Sequence, residues 1–442
     1  MGRVPAVAIV SLGCPKNQVD AEIMAGLLAA GGYRLVDDQS HADAIIVNTC
    51  GFIDPAKEES IQAILAAAQQ KQGRCRAVLI AGCLGQRYGE ELLVELPEAD
   101  AIVGTGRFPE ICELVARALE GQRFTAVGDP QPPGTEGLPR RIAGHGATAY
   151  LKIADGCDNR CAYCKIPDIR GPFRSRPLAA VVKEAERLVA AGVRELVVVA
   201  QDTTRYGEDL GSAAPRLPDL VRALAALPDL RWIRLMYLYP TRITDDLIEV
   251  VANEKKVCKY FDIPLQHISD RMLAAMNRRG DRAAIYRLVE RIRTRIPDAS
   301  FRSAFIVGFP GETAADFKQL LAALADLAFD NVGVFTYSRE EGTPAAERPG
   351  QISERVKSQR FDRLMARQQE IALARRARWI GREIDVLIEG RDDEGLAVGR
   401  GEMDAPEVDG AVHVASSARP GEFIRARVER AEPYDLYGSE IK

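Results

Sequence analysis

Short apolar, β-rich runs alternate with amphipathic stretches along most of this chain. Between residues 5 and 120 the runs Val7–Ser11, Ala44–Asn48, Ala77–Ala81 and Ala101–Val103 are separated by helical periodicity near 17–30, 56–71, 88–96 and 108–120. Buried strands joined by crossover helices predict an open parallel sheet. The rhythm resumes at Tyr150–Ala154 and continues through Glu195–Ala200, Trp232–Met236, Tyr260–Ile263, Phe301–Gly308 and Val332–Tyr337. Six βα units are too few for a complete eight-unit barrel, which takes about 250 residues, and predict a partial (βα)6 barrel. From Glu383 onward the pattern becomes short alternating strands with Gly-rich turns, as at Ile384–Ile388 and Phe423–Val428. That pattern fits a small β-barrel of the oligonucleotide-binding type. The fold class is therefore α/β, with an N-terminal open parallel βαβ domain, a partial barrel and a terminal β-barrel. The stretch 129–146 holds four prolines and four glycines, the composition of a linker. The expected domains are 1–128, a linker over 129–142, a core over 143–376 and a terminal barrel over 377–442.

Composition narrows the class without naming a function. Of 442 residues, 47% are apolar and 28% charged, the balance of an ordinary globular protein. A net charge of −4 argues against the molecule as a whole binding polyanions. No apolar run approaches the roughly 18 residues that a membrane-spanning helix needs. Arg3, the run Val4–Leu12 and Ser11-Leu12-Gly13-Cys14 imitate a lipoprotein signal. Pro5 interrupts that run, however, and Val19, Ile23, Leu27 and Leu28 form a helical stripe where a tether should follow. Charge is unevenly spread. Residues 354–382 read as one basic helix with nine Lys or Arg against three acids, net +6. Residues 383–442 hold fifteen acids against seven bases, net −8.

Nine cysteines are too few for a disulfide scaffold of this length. Cys14, Cys50 and Cys83 each follow one of the first three strands, 36 and 33 residues apart. Strand carboxyl ends share one edge of a parallel sheet, so three thiols distant in sequence should converge there. Cys157, Cys161 and Cys164 form a C-x3-C-x2-C loop after the first barrel strand. Three thiolates at that spacing can hold three irons of a [4Fe–4S] cluster and leave the fourth open to a substrate. Structural zinc wants four ligands, and the four histidines, His41, His145, His267 and His413, are scattered. Thiolates kept for metal imply a reducing compartment, and hence the cytoplasm. Cys75, Cys112 and Cys258 have no partner at a useful spacing and read as packing residues.

The C-x3-C-x2-C loop resembles the signature of radical S-adenosylmethionine enzymes. With the three-cysteine domain before it and a terminal barrel of the kind called TRAM, nearly the whole chain resembles the methylthiotransferases. Ser11-Leu12-Gly13-Cys14-Pro15-Lys16-Asn17, followed by Asp20 and Glu22, and Ala200-Gln201-Asp202-Thr203-Thr204-Arg205-Tyr206-Gly207 are similar to one branch. That branch methylthiolates the β-carbon of an aspartate in ribosomal protein S-twelve. Lys165 departs from the pattern, which expects an apolar residue after the third cysteine.

The resemblance implies two [4Fe–4S] clusters and two molecules of S-adenosylmethionine. Cys157, Cys161 and Cys164 would hold the cluster that cleaves S-adenosylmethionine, and Cys14, Cys50 and Cys83 the one that carries sulfur. One S-adenosylmethionine methylates that sulfur and the other yields the radical that takes the hydrogen. An aspartate β-carbon has no hydrogen acidic enough for a protein base, so no acid–base residue is expected. Tyr163 resembles the aromatic near the adenine. Gln201 and Asp202, polar groups at a strand end, are candidates for the methionine moiety. Gly308 is placed to let the backbone approach the cofactor, and Gln266 and His267 read as hydrogen-bonded supports. The implied partners are the ribosomal protein, possessing the basic charge that an acidic barrel attracts, and an electron donor such as a flavodoxin-type protein. A transfer-RNA adenosine methylthiotransferase is the alternative, against which the net −8 barrel and Ser11–Asn17 count. A non-catalytic iron–sulfur carrier or redox sensor predicts four cysteines per cluster, and two sets of three argue against it.

Overall fold

A computed structural model of the chain describes residues 3–142 and 146–441. The expected linker–core boundary at residue 143, and His145, lie outside the described residues. Two compact units emerge: Met1–Ala143 with Lys152–Arg176 and Glu340–Thr343, and Gly144–Leu151 with Pro177–Arg339 and Pro344–Lys442.

The first unit opens with β1 (Ala6–Ser11), α1 (Pro15–Ala30), β2 (Arg34–Leu35), β3 (Ala44–Thr49), α2 (Asp54–Gln69) and β4 (Ala77–Gly82). It continues through α3 (Cys83–Glu95), β5 (Ala101–Val103), α4 (Ile111–Leu119) and β6 (Phe124–Ala126). The strands form one parallel sheet in the order β2-β1-β3-β4-β5-β6. Every residue of β3 and β4 is buried, as the unbroken apolar runs require of central parallel strands. Ile45, Val47, Val78, Ile80 and Ile102 pack with Ile64 and Leu84 from the covering helices. The chain leaves β1 for β2 on one side and returns to β3 on the other. The order therefore reverses between β1 and β3, which is where open α/β sheets bind ligands.

The barrel series begins with β7 (Thr148–Lys152), β8 (Ala154–Asp155), α5 (Ile166–Arg170), β9 (Arg174–Ser175), α6 (Leu178–Ala190), β10 (Glu195–Val199) and α7 (Leu217–Ala225). There follow β11 (Trp232–Leu235), α8 (Asp245–Asn253), β12 (Tyr260–Asp262), α9 (Asp270–Ala275), α10 (Arg282–Arg295), β13 (Ser300–Val307), α11 (Ala314–Leu327) and β14 (Asn331–Thr336). Hydrogen bonding divides the six main strands into two sheets, β11-β10-β7 and β12-β13-β14, linked by a bridge between Ile233 and Val257 and by the Leu238 N–H, which donates to the Asp262 carbonyl at 2.9 Å. Phe261, Phe301 and Phe329 stack beneath the second sheet with centroids 5.8 and 5.6 Å apart.

The long helix α12 (Glu354–Ala377) precedes β15 (Glu383–Arg391), β16 (Ala397–Arg400), β17 (Val412–Ala415), β18 (Phe423–Ala431) and β19 (Leu436–Glu440). These five strands close into a barrel in the order β15-β16-β17-β19-β18. Its core of Val386, Ile388, Val412, Val414, Val428 and Leu436 includes Trp379, which comes from the turn after α12. Buried ion pairs fasten the barrel within the second unit. Glu195 receives Arg234 Nε at 2.9 Å and Arg400 Nη2 at 2.6 Å, Tyr260 donates to Asp409 at 2.6 Å, and Arg376 pairs with Asp404. Burial alone would raise the Glu195 carboxyl, but Arg400 and Arg234 outweigh it and hold it at about 2.

Candidate functional site

Three cysteines end three adjacent parallel strands. Cys14 caps α1 just after β1, Cys50 follows β3, and Cys83 opens α3 directly after β4. A glycine beside each lets the loops close. Gly13 has φ +87°, and a Cβ there would lie 2.8 Å from Cys50 Cβ and 3.3 Å from its Sγ. A Cβ on Gly51 would meet the Leu84 backbone at 2.8 Å, and one on Gly82 (φ +89°) would meet Asn48 Oδ1 at 2.5 Å. Asn17 knits the loops from behind. Its Nδ2 donates to the carbonyls of Leu12 at 2.7 Å and Thr49 at 3.2 Å, while Asn48 Nδ2 donates to the Asn17 carbonyl at 2.7 Å. Ser60 exchanges two hydrogen bonds with the Cys50 backbone, at 3.1 and 2.9 Å.

The thiols feel one another. Burial pushes Cys50 up to about 12, with Cys83 adding to the effect, and burial also raises Cys83. Burial works the same way on Cys14, but Lys16 and Arg170 outweigh it and lower this thiol. Three neighbouring thiolates, Cys83 buried and Cys14 and Cys50 half-buried, resist coexisting in such a pocket unless electropositive metal sits among them. The soft thiolate donor set thus suits an iron–sulfur cluster rather than a proton-bearing role. Among the described residues no three His, Cys, Asp or Glu side chains close on one point to share a single ion. A cubane differs from a zinc ion in taking one thiolate at each of several separate irons.

The second triad lies on the loop after β8, in the same compact unit as the first. Cys157 and Cys161 are buried and Cys164 partly so. Gly156 (φ +79°) turns the chain against Pro172, whose carbonyl a Cβ would meet at 2.0 Å. Cys157 N–H donates to the Gly171 carbonyl at 3.0 Å and Cys164 N–H to that of Cys161 at 3.0 Å. Phe173 N–H donates to Asp158 Oδ1 at 3.2 Å, so both flanks of the loop are pinned. The three thiols are held by a compact turn with no fourth cysteine in its sequence.

Tyr163 is half-buried on this loop. Lys165, the departure from the family pattern, pairs with Asp168 at 2.5 Å and so faces a carboxylate next to the loop. In the second unit Gln201 is half-buried and Asp202 fully buried just beyond β10. Asp202 accepts from Thr204 Oγ1 at 2.5 Å and pairs with Arg242 at 3.1 Å. Gly308 ends β13 at φ +75°, and the atoms a Cβ would strike there are the Lys357 stem, 2.3 Å away. His267 is buried, with its Nδ1 accepting from Ser269 N–H at 3.0 Å and Nε2 3.5 Å from Glu312. Cys75 and Cys112 donate to the carbonyls of Ala77 and Leu27, and Cys258 is buried.

The sequence reading missed a buried charge cluster in the first unit. Lys152 pairs with Asp20 and, at 2.8 Å, with Asp155, while Arg170 pairs with the same two carboxylates at 2.8 and 3.0 Å. Glu22 accepts from Arg140 at 2.7 Å. Asp20 and Glu22, which follow the Ser11–Asn17 segment, each meet a base far away in sequence. The one available signal was Lys152, a charge inside an apolar strand run.

Comparison with known proteins adds three matched regions: an uncharacterized protein family, UPF0004, over residues 6–104, the radical SAM superfamily over 151–324, and a TRAM domain over 380–441. Ribosomal protein uS12 methylthiotransferase RimO of Pelotomaculum thermopropionicum is 50% identical over 440 residues, covering 98% of this chain and 99% of that protein. The protein of the same name from Geobacter sulfurreducens is 51% identical, covering 98% of each. Among solved structures, the radical S-adenosylmethionine methyltransferase TsrM from Kitasatospora setae, with cobalamin and a [4Fe-4S] cluster bound, aligns with a TM-score of 0.57 at 18% identity. That alignment covers 78% of this chain and 74% of TsrM, and at such identity it speaks to the fold.

Proposed function

Since the chain belongs to the family of ribosomal protein uS12 methylthiotransferases, we propose that it adds a methylthio group to the β-carbon of an aspartate of uS12. In this reading Cys157, Cys161 and Cys164 hold one [4Fe–4S] cluster, and Cys14, Cys50 and Cys83 hold a second. When bound, the clusters together with S-adenosylmethionine supply the electron, the hydrogen-abstracting radical and the sulfur. The chain's own part is placement. The Gly13, Gly51 and Gly82 contacts draw three strand ends into one thiol cradle, and the pinned 156–173 loop presents the other. Gln201, Asp202 and Gly308 of the second unit are proposed to bind S-adenosylmethionine, Asp202 fixed by Arg242.

The observation that carries this reading is the occurrence of two three-thiol sets within one compact unit, all nine cysteines being free of disulfides. Free thiols on this scale suit a reducing cytoplasm and an external one-electron donor such as a flavodoxin-type protein. No helix among the described residues is long and apolar enough to cross a membrane. Mass spectrometry of ribosomal proteins from cells with and without the gene provides the test. A gain of one methylthio group on a uS12 aspartate is expected only with the gene. Unmodified uS12 alongside a methylthiolated transfer RNA would move the substrate to the alternative class.

A further inference from the structure

Arg170 closes α5, six residues after Cys164, and its side chain is 3% exposed. Nη2 lies 3.7 Å from Cys83 Sγ and 3.2 Å from Asn17 Oδ1. Nη1 is held by Asp20 at 2.8 Å and Asp155 at 3.0 Å. The guanidinium is thus gripped on one edge by two carboxylates and turned toward sulfur on the other. Its neighbour Gly171 accepts the Cys157 N–H, and a Cβ on Gly171 would lie 1.9 Å from the Pro130 carbonyl. The backbone cannot slide here without disturbing the second cysteine loop. One short segment therefore touches both triads, through a side chain at Cys83 and a carbonyl at Cys157.

We propose that Arg170 is a positioning residue whose hydrogen bond to Cys83 Sγ raises the reduction potential of the iron–sulfur cluster held by Cys14, Cys50 and Cys83. The inference rests on the reading that those three cysteines hold a cluster. Hydrogen bonds to cluster sulfurs and nearby positive charge both favour the reduced state, which carries one more electron. Asp20 and Asp155 offset part of that charge, so the directed hydrogen bond carries more of the effect than the bare cation. A bland alternative makes Arg170 only the partner of two buried acids. That alternative predicts a change in stability and none in potential.

The test uses the full chain carrying Cys157→Ala, Cys161→Ala and Cys164→Ala, reconstituted anaerobically with ferrous iron and sulfide, so that only one cluster reports. Its midpoint is read by redox titration with electron paramagnetic resonance. Adding Arg170→Met is expected to shift the one-electron reduction equilibrium about tenfold toward the oxidised form, about 59 mV downward. Arg170→Lys keeps the charge but loses the planar fork, and a smaller downward shift is expected. If the Met variant does not hold iron, the Lys variant decides. A fully loaded variant with the parent midpoint, or a higher one, overturns the proposal. A parent that binds no iron instead overturns the ligand assignment beneath it, which separates the two failures.

Discussion

At the scale of single residues, the cysteine sites are built as much from glycines and buried ions as from thiols. Changing Cys14, Cys50 and Cys83 together to Ala removes one triad and leaves the other loop's hydrogen bonds intact. Reductive cleavage of S-adenosylmethionine should survive while methylthio transfer to uS12 disappears, as scored by deoxyadenosine and modified protein in one assay. Modified product at the normal yield would deny the first triad any role. Gly13→Ala should have a milder form of the same effect. Its φ of +87° and the 2.8 Å approach to Cys50 make the methyl group costly by about 1–3 kcal/mol. Iron content between half and the parent level, with cleavage retained, is the expected result. Glu195 makes a different claim, about pH. Its folded value of about 2 lies below the ordinary 4.5, so its contribution is fully present above 4.5 and is lost as pH falls toward 2. Glu195→Gln leaves Arg234 and Arg400 facing an amide and should cost about 3 kcal/mol at neutral pH. The gap between the two proteins, followed by urea unfolding, should close as the pH is lowered through that window. A constant gap would mean the carboxylate charge is not what the guanidiniums bind.

Elements were legible in the sequence where their pattern was long. The four central strands of the first sheet and all six main barrel strands lie within about two residues of their apolar runs, because buried parallel strands leave an unbroken signal. The misses share a physical cause, which is shortness or tertiary origin. β2 has two residues, too few for any periodicity, and β6 is a part-buried edge strand whose Phe-Thr-Ala leaves no unbroken apolar run; without β2 the strand-order reversal at β1 could not be derived. Helix α3 was expected from 88 but begins at Cys83, since Gly82, Gly85 and Gly89 read as loop and Gly89 does kink the helix. The basic helix ends at Ala377 rather than 382, where Trp379 turns into the terminal barrel core. Its charge also means something other than a free cationic face. Arg375 and Arg378 grip Asp330 at 3.1 and 3.0 Å, Arg360 binds Glu312 at 2.8 Å and Arg376 binds Asp404. Most of that grip is invisible in sequence because the acids come from distant elements. Asp330→Asn should loosen α12 by about 1–3 kcal/mol. Amide hydrogen exchange across 354–377 should then quicken by roughly ten- to hundredfold. Unchanged protection there would show that apolar packing alone seats the helix.

For the molecule as a whole, net charge proves a coarser guide than its arithmetic suggests. The terminal barrel holds fifteen acids and seven bases, yet the Asp404 and Asp409 side chains are buried on Arg376 and Arg302. Glu383 pairs with Arg425 and Arg427, and Glu432 with Arg430. Cutting the barrel out would expose those buried acids and strip Trp379 from its core, so its preference for a partner belongs to the intact chain. What remains at the surface includes Asp393 and Glu394 in the turn between β15 and β16, both exposed. Within a Debye length of about 8 Å at physiological salt such charges steer a basic ribosomal protein and repel phosphate. Steering acts on the association rate and leaves the dissociation rate nearly alone. Asp393→Asn with Glu394→Gln in the full chain should therefore slow association with uS12 by a few-fold at low salt, and the difference should vanish as salt rises. Transfer RNA should bind the parent more weakly than uS12 does at every salt concentration. An unchanged association rate would remove the barrel's surface charge from substrate choice. Tighter binding of transfer RNA, falling steeply with salt as phosphate contacts dictate, would give the barrel the opposite preference.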